Sequence, residues 1–150
     1  MFLISYDPGH TTGVVAFRVG VNGIHHLRAV EILEHQPLPC RDMLTAEELD
    51  EHALVHVVLE APPAVKPDSM VGVRRAEEIR TLAAGQFWEI HEYLPGHWKP
   101  SAKMWKNVLP EVLRSAHTRD AYGMALHHIR KHSLLSVQRM KEPRWHLPTE

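Results

Sequence analysis

The chain holds one cysteine, Cys40, in 150 residues, so an internal disulfide is excluded and a reducing, cytosolic setting is expected. Cys40 lies between Pro39 and Arg41 with nothing beside it that marks a nucleophile. No apolar run approaches the ~20 residues needed to cross a bilayer, which argues against a membrane protein. Met1 to Tyr6 leads straight into a turn and lacks the basic region and cleavage site of a signal peptide. Internal repeats and low-complexity segments are missing as well. A large charge of one sign is also absent, because the formal net charge is −1. Its distribution is uneven, with a balance of −7 from Met1 to Trp98 and +6 from Lys99 to Glu150. A basic final third suits either a solvated helical face or a phosphate-backbone binder.

What is present is ordinary for a globular domain: 44% hydrophobic and 23% charged residues. The length predicts one domain over 1–150, with a loosely held basic tail from about 133. The chain is organised around its first seventeen residues. Leu3-Ile4-Ser5-Tyr6 reads as a strand that ends in Asp7, and Pro8-Gly9 and Gly13 frame a turn before the apolar run Val14–Phe17. A turn explains the proline and the glycines, and an Asp can cap one. A carboxylate closing an apolar strand is nevertheless expensive unless it is hydrogen-bonded or paired with a cation.

Residues 1–35 read as three consecutive strands, the third following the hairpin signal Val21-Asn22-Gly23. Thr45 with Glu48 forms a capping-box pattern for a short helix to about Ala53. Leu54–Glu60 is nearly continuous and β-branched, as expected of a strand buried on both faces, and it too ends in a carboxylate. After a proline-rich loop over 61–72, the spacing of Val73, Ala76, Ile79, Leu82, Ala83 and Phe87 predicts a helix to about Trp88. Arg74, Arg75 and Arg80 fall on its outer face. Glu89–Leu94 alternates like a short strand, residues 96–110 interleave basic and aromatic side chains, and His117 to about His132 forms the last helix. The order β-β-β-α-β-α-β-α predicts an α/β protein with a mixed five-stranded sheet, antiparallel on one side, parallel on the other, and helices on its faces.

Three carboxylates stand out together: Asp7 and Glu60 at strand ends, and Asp120 in the first turn of the last helix, with His117 three residues before it on the same face. Sites in such sheets gather at the carboxyl ends of strands. Three clustered carboxylates repel by roughly 4 kcal/mol per pair at 4 Å and an effective dielectric of 20. A divalent cation between them removes that penalty, and an oxygen-rich site suits Mg²⁺ or Mn²⁺ rather than zinc. Two such ions about 4 Å apart are a common apparatus for in-line phosphodiester cleavage. The thirteen histidines are scattered, and His127, His128 and His132, toward solvent or a DNA backbone, carry no assigned role.

Asp7-Pro8-Gly9, Leu59-Glu60 and His117-x-x-Asp120-Ala121 together resemble the RuvC-type Holliday junction resolvases, which have the RNase H-like fold. Glu92-Tyr93-Leu94-Pro95-Gly96-His97-Trp98-Lys99 is similar to a further segment of that family, and Lys66 falls where the family has a lysine. The resemblance spans residues 4 to about 130. It implies a homodimeric Mg²⁺-dependent endonuclease, as in small phage-borne members, acting on four-way junctions in DNA recombination and repair. Asp7, Glu60, Asp120 and His117 would be its catalytic residues, the three acids as metal ligands and His117 as a further ligand or as the group that orients the water, with one of two ions activating the attacking water and the other stabilising the leaving 3′ oxygen. Lys66, Lys99, Lys103 and Lys106 would contact DNA phosphates. The implied location is the cytoplasm of a bacterial or phage-infected cell. Two features differ from the family: Pro63 stands where a junction-wedging aromatic is found, and residues 100–106 replace a glycine-rich segment. Trp98 and Trp105 are candidates for a stacking surface or for the core.

Three other readings compete. The segment 7–13 also looks like the first phosphate loop of actin-like ATPases, but 150 residues leave no room for a second lobe. A related nuclease acting on an RNA–DNA hybrid, flap or fork would use the same acids. A branched-DNA-binding protein without cleavage would not need them all.

Overall fold

The computed structural model describes residues 1–20, 23–38, 43–49, 54–61, 70–105, 113 and 115–132. Cys40, Pro63, Lys66, Lys106 and the basic tail from 133 lie outside these residues, as do residues 50–53 at the end of the helix expected to run to about Ala53. Within its described part the Thr45–Glu48 capping box forms, and the chain makes one turn there.

Five strands, β1 (Phe2–Asp7), β2 (Thr11–Gly20), β3 (Gly23–Leu33), β4 (Val55–Glu60) and β5 (Glu89–Tyr93), form one sheet in the order β3-β2-β1-β4-β5. The first three pair antiparallel as a meander; β1–β4 and β4–β5 pair parallel. The mixed α/β sheet expected from the sequence is therefore present. Helix α1 (Met70–Gly85) connects β4 to β5; a short helix α2 (Pro95–Trp98), a 3₁₀ stretch (Lys99–Trp105) and helix α3 (Ala116–Lys131) follow. Among the described residues no helix is long and apolar enough to span a membrane.

Strand alternation sorts the core into two halves. Ile4, Tyr6, Val14, Ala16, Val57 and Leu59 face α1, against Ala76, Ile79 and Ala83. Leu3, Val15, Phe17, Val58 and Tyr93 face the other way, against Ala121, Tyr122, Met124, Ala125 and Ile129 of α3. On that second face Ser5 Oγ donates to the Ala121 carbonyl at 2.6 Å, tying β1 to α3.

Several expectations are corrected. Helix α1 starts at Met70, since every proline of the preceding loop lies upstream of it, and it ends at Gly85. Its C-terminus closes with Phe87 in the left-handed region (φ 57°), Phe87 N–H donating to the Ala84 carbonyl and Trp88 N–H to that of Ala83. Phe87 therefore leaves the helix and is 97% exposed, and Leu82 also faces outward. Arg75, placed on the outer face by its charge, is buried at 4% exposure because its guanidinium serves three carbonyls that continue beyond β3. Nη2 lies 2.6 Å from the Leu33 oxygen, 2.7 Å from that of Glu34 and 2.6 Å from that of Gln36. Trp98 and Trp105 belong to the core rather than to a stacking surface. His128, expected toward solvent or DNA, is fully buried because Tyr93 and His56 each engage one of its ring nitrogens.

Candidate active site

The site is assembled by register. Tyr6 pairs with Leu59 across the parallel β1–β4 ladder, so Asp7 and Glu60 are the next residues of adjacent strands. Both continue the series facing α3: Leu3, Ser5, Asp7 on β1 and His56, Val58, Glu60 on β4. Adjacent strands are about 4.8 Å apart, close enough for the two carboxyl groups to share a proton. The Glu60 side chain is accordingly among the groups that raise the Asp7 pKa.

Gly13 brings in the third carboxylate. It pairs directly with Asp7 on β2, and the N-terminal turn of α3 rests on it so closely that a Cβ would meet the His117 carbonyl carbon and oxygen at 2.3 Å. Only a residue without a side chain leaves that seat open. Ser115 caps the helix there by accepting the Thr118 N–H at 3.0 Å. His117 Nδ1 consequently sits 3.9 Å from Asp7 Oδ2, and Asp120 lies near enough for its charge to act on Asp7.

The electrostatics record the crowding. Asp7, 13% exposed at its side chain, has its pKa pushed up to about 8, first by burial and then by the negative charges of Glu60 and Asp120. Burial likewise raises Asp120, with Lys99 and His117 opposing the shift. Lys99 lies on the solvent side of this centre, its Nζ 5.7 Å from the centre of the Trp98 ring. Trp98 Nε1–H donates to Glu60 Oε2 at 2.6 Å and fixes the orientation of that carboxylate.

Asp7, Glu60, His117 and Asp120 thus converge, and Lys99 joins them. Lys103 is exposed on the 3₁₀ stretch. The sequence did not reveal Trp98 as the holder of Glu60 or Gly13 as the seat of α3. A glycine at a strand start opposite an acidic strand end is a signal of close backbone approach that was available for the second. Three crowded carboxyl groups with one imidazole make a donor set that fits Mg²⁺ or Mn²⁺.

No protein-family model and no curated protein matches the sequence. Among solved structures the chain is similar to RuvC of Thermus thermophilus, with a TM-score of 0.62 and 17% identity over 89% of this chain and 98% of that one. The same enzyme in complex with Holliday junction substrate also has a TM-score of 0.62, at 16% identity and the same coverage. A Fowlpox virus resolvase in complex with substrate Holliday junction DNA has a TM-score of 0.55 and 14% identity, over 91% of this chain and 100% of that one. With the mixed sheet order and the helices packed on its faces, these likenesses show that the chain has an α/β RNase H-like fold similar to that of RuvC.

Proposed function

We propose that the chain is a metal-dependent, structure-selective endodeoxyribonuclease that resolves four-way DNA junctions by paired, symmetric nicks. The observation that carries this reading is the convergence of Asp7, Glu60 and Asp120, with His117, at the carboxyl ends of β1 and β4, where burial and the neighbouring carboxylates raise the Asp7 pKa. The fold shared with two resolvases that bind Holliday junctions supports the substrate class.

Asp7, Glu60, Asp120 and His117 would hold two Mg²⁺ ions, with Mn²⁺ as a substitute. Bound there, such ions supply Lewis acidity and hydroxide at neutral pH. The chain's own residues do the rest. Trp98 holds Glu60 in one orientation. Asp7, raised by burial and by Glu60 and Asp120, would bind such ions as its carboxylate. Lys99, beside the carboxylates, draws the scissile phosphate toward them, while Lys103, Lys66 and Lys106 take neighbouring phosphates. Water adds to phosphorus and the bond to the 3′ oxygen breaks, leaving a 5′ phosphate and a 3′ hydroxyl. A homodimer would match the two-fold symmetry of the junction. The setting is recombination and repair in the cytoplasm of a bacterial or phage-infected cell.

The test is cleavage of a synthetic four-way junction beside matched duplex, fork and RNA–DNA hybrid, with Mg²⁺ and with EDTA. Paired nicks in the junction alone, lost in EDTA, are expected. Asp7→Asn is expected to slow cleavage about 1,000-fold or more, about 4 kcal/mol of transition-state stabilisation, while junction binding persists. Lys103→Ala is expected to weaken binding to every branched substrate and to lower the salt slope by about one. Cutting of the hybrid or fork instead of the junction would overturn the substrate assignment, and tight binding without nicks would overturn the activity.

A further inference from the structure

The sheet face that carries the carboxylates at one end carries a second, unrelated group of side chains at the other. On β4 the series His56, Val58, Glu60 faces α3, and on β5 the series Glu89, His91, Tyr93 does the same. The register pairs His56 with Glu89 and Val58 with His91. His128 of α3 lies eight residues beyond Asp120, about 12 Å along the helix, and closes over them.

We propose that His56, His91 and His128 form a binding site for a zinc-class divalent cation, distinct from the carboxylate centre. One ring nitrogen from each of the three lies within 4.8 Å of the others. His56 Nδ1 and His128 Nε2 are 3.2 Å apart, close to the roughly 3.4 Å between two nitrogens at about 2.1 Å on a tetrahedral ion. The ring nitrogens pointing away from the cluster are anchored. His128 Nδ1 lies 2.6 Å from the Tyr93 hydroxyl, and His56 Nε2 lies 3.3 Å from Glu89 Oε2. That arrangement is how proteins orient ligating imidazoles, since the outer hydrogen bond turns the opposite lone pair toward the metal.

His91 supplies the independent observation. Its Nε2 is buried and, among the described residues, makes no hydrogen bond, its contact with Glu89 Oε1 at 2.8 Å being an ion-pair approach only. A buried polar atom left without a partner is costly, and a cation among the three rings would give it one. His132 stacks on His91 and His128 from the outside, with ring centres 5.0 and 4.4 Å away. Imidazole donors select zinc, cobalt, nickel or copper over magnesium, so the two centres would take different ions from one solution. Because the ligands come from β4, β5 and α3, the ion would clasp the far end of the helix to the sheet. An all-protein cluster of neutral imidazoles, hydrogen-bonded to one another, is the competing explanation.

Metal-free Asp7→Asn protein, whose carboxylate centre is disabled, should be titrated with Co²⁺ in excess Mg²⁺. One Co²⁺ per chain is expected, with the intense visible bands of tetrahedral cobalt, and Zn²⁺ should bleach them. A saturating excess of Zn²⁺ should raise the unfolding midpoint by about 5–10 °C. His91→Gln, at a half-buried position, should abolish both the bands and the shift while its circular dichroism stays native. His56→Gln provides the same test from a second strand. Absence of tetrahedral bands in the parent protein, or their persistence in both glutamine variants, would overturn the site.

Discussion

At the residue scale, the candidate active site depends on a position with no side chain at all. Gly13 lets the main chain of α3 lie against β2, so Gly13→Ala must push His117 away from backbone that has little freedom to yield. We expect a loss of about 1–3 kcal/mol in urea unfolding, accompanied by a drop in junction cleavage larger than any change in junction binding. Unchanged stability and cleavage would mean that the helix does not depend on this seat. Asp7 and Glu60 were legible in the sequence because a carboxylate closing an apolar strand conflicts with its surroundings. His117 and Asp120 were legible through their helical spacing. Trp98 was not: interleaving with lysines is equally consistent with a core residue and with a stacking surface, and only the fold turns its indole N–H toward Glu60.

At the scale of elements, α1 shows how far periodicity reaches. The apolar spacing placed the helix and gave Ala76, Ile79 and Ala83 their buried face correctly. It misplaced Arg75, because a charge reads as solvent-facing until three carbonyls at and beyond the end of β3 are found within its reach. It also extended the helix to Phe87, since a left-handed C-terminal residue is expected to be glycine and Phe87 gives no such signal. The Arg75 guanidinium, with Glu78 beside it at 3.1 Å, couples α1 to the end of the meander. Arg75→Lys cannot satisfy the same set of acceptors. It should cost about 3 kcal/mol, read as a fall of roughly 10 °C in the unfolding midpoint. A fall of less than about 2 °C would show that water satisfies those carbonyls without help.

At the scale of the whole molecule, the two ends of the sheet face impose opposite pH dependences on the metal-free protein. Asp7 holds its proton more tightly when folded, so its contribution to stability is full below the ordinary 3.8 and is lost as the pH rises through about 8. Asp120 shifts in the same direction. Burial and the neighbouring imidazoles push His128 down to about 3, so its contribution is full above the ordinary 6.5 and is lost as the pH falls toward 3. His56 and His127 shift the same way as His128. The unfolding midpoint without metal should therefore peak near about pH 6.5. Asp7→Asn should flatten the alkaline limb, and Mg²⁺ should raise the midpoint most on that limb. A midpoint that climbs steadily through pH 8 without metal would contradict the crowding of the carboxylates. The mixed sheet, antiparallel on one side and parallel on the other, was legible from the strand sequence, whereas the histidine cluster was not, because three scattered histidines become neighbours only once register and helix phase are known. The bond from Ser5 to Ala121 spans 116 positions of sequence, so seating α3 closes a longer loop than pairing β1 with β4, where Phe2 meets Val55. The two strand-end carboxylates can thus stand side by side while the helix that completes their centre is still unmade. On the proposed activity, a chain whose α3 has yet to dock would leave DNA uncut, and renatured protein should regain cleavage only once that helix is in place.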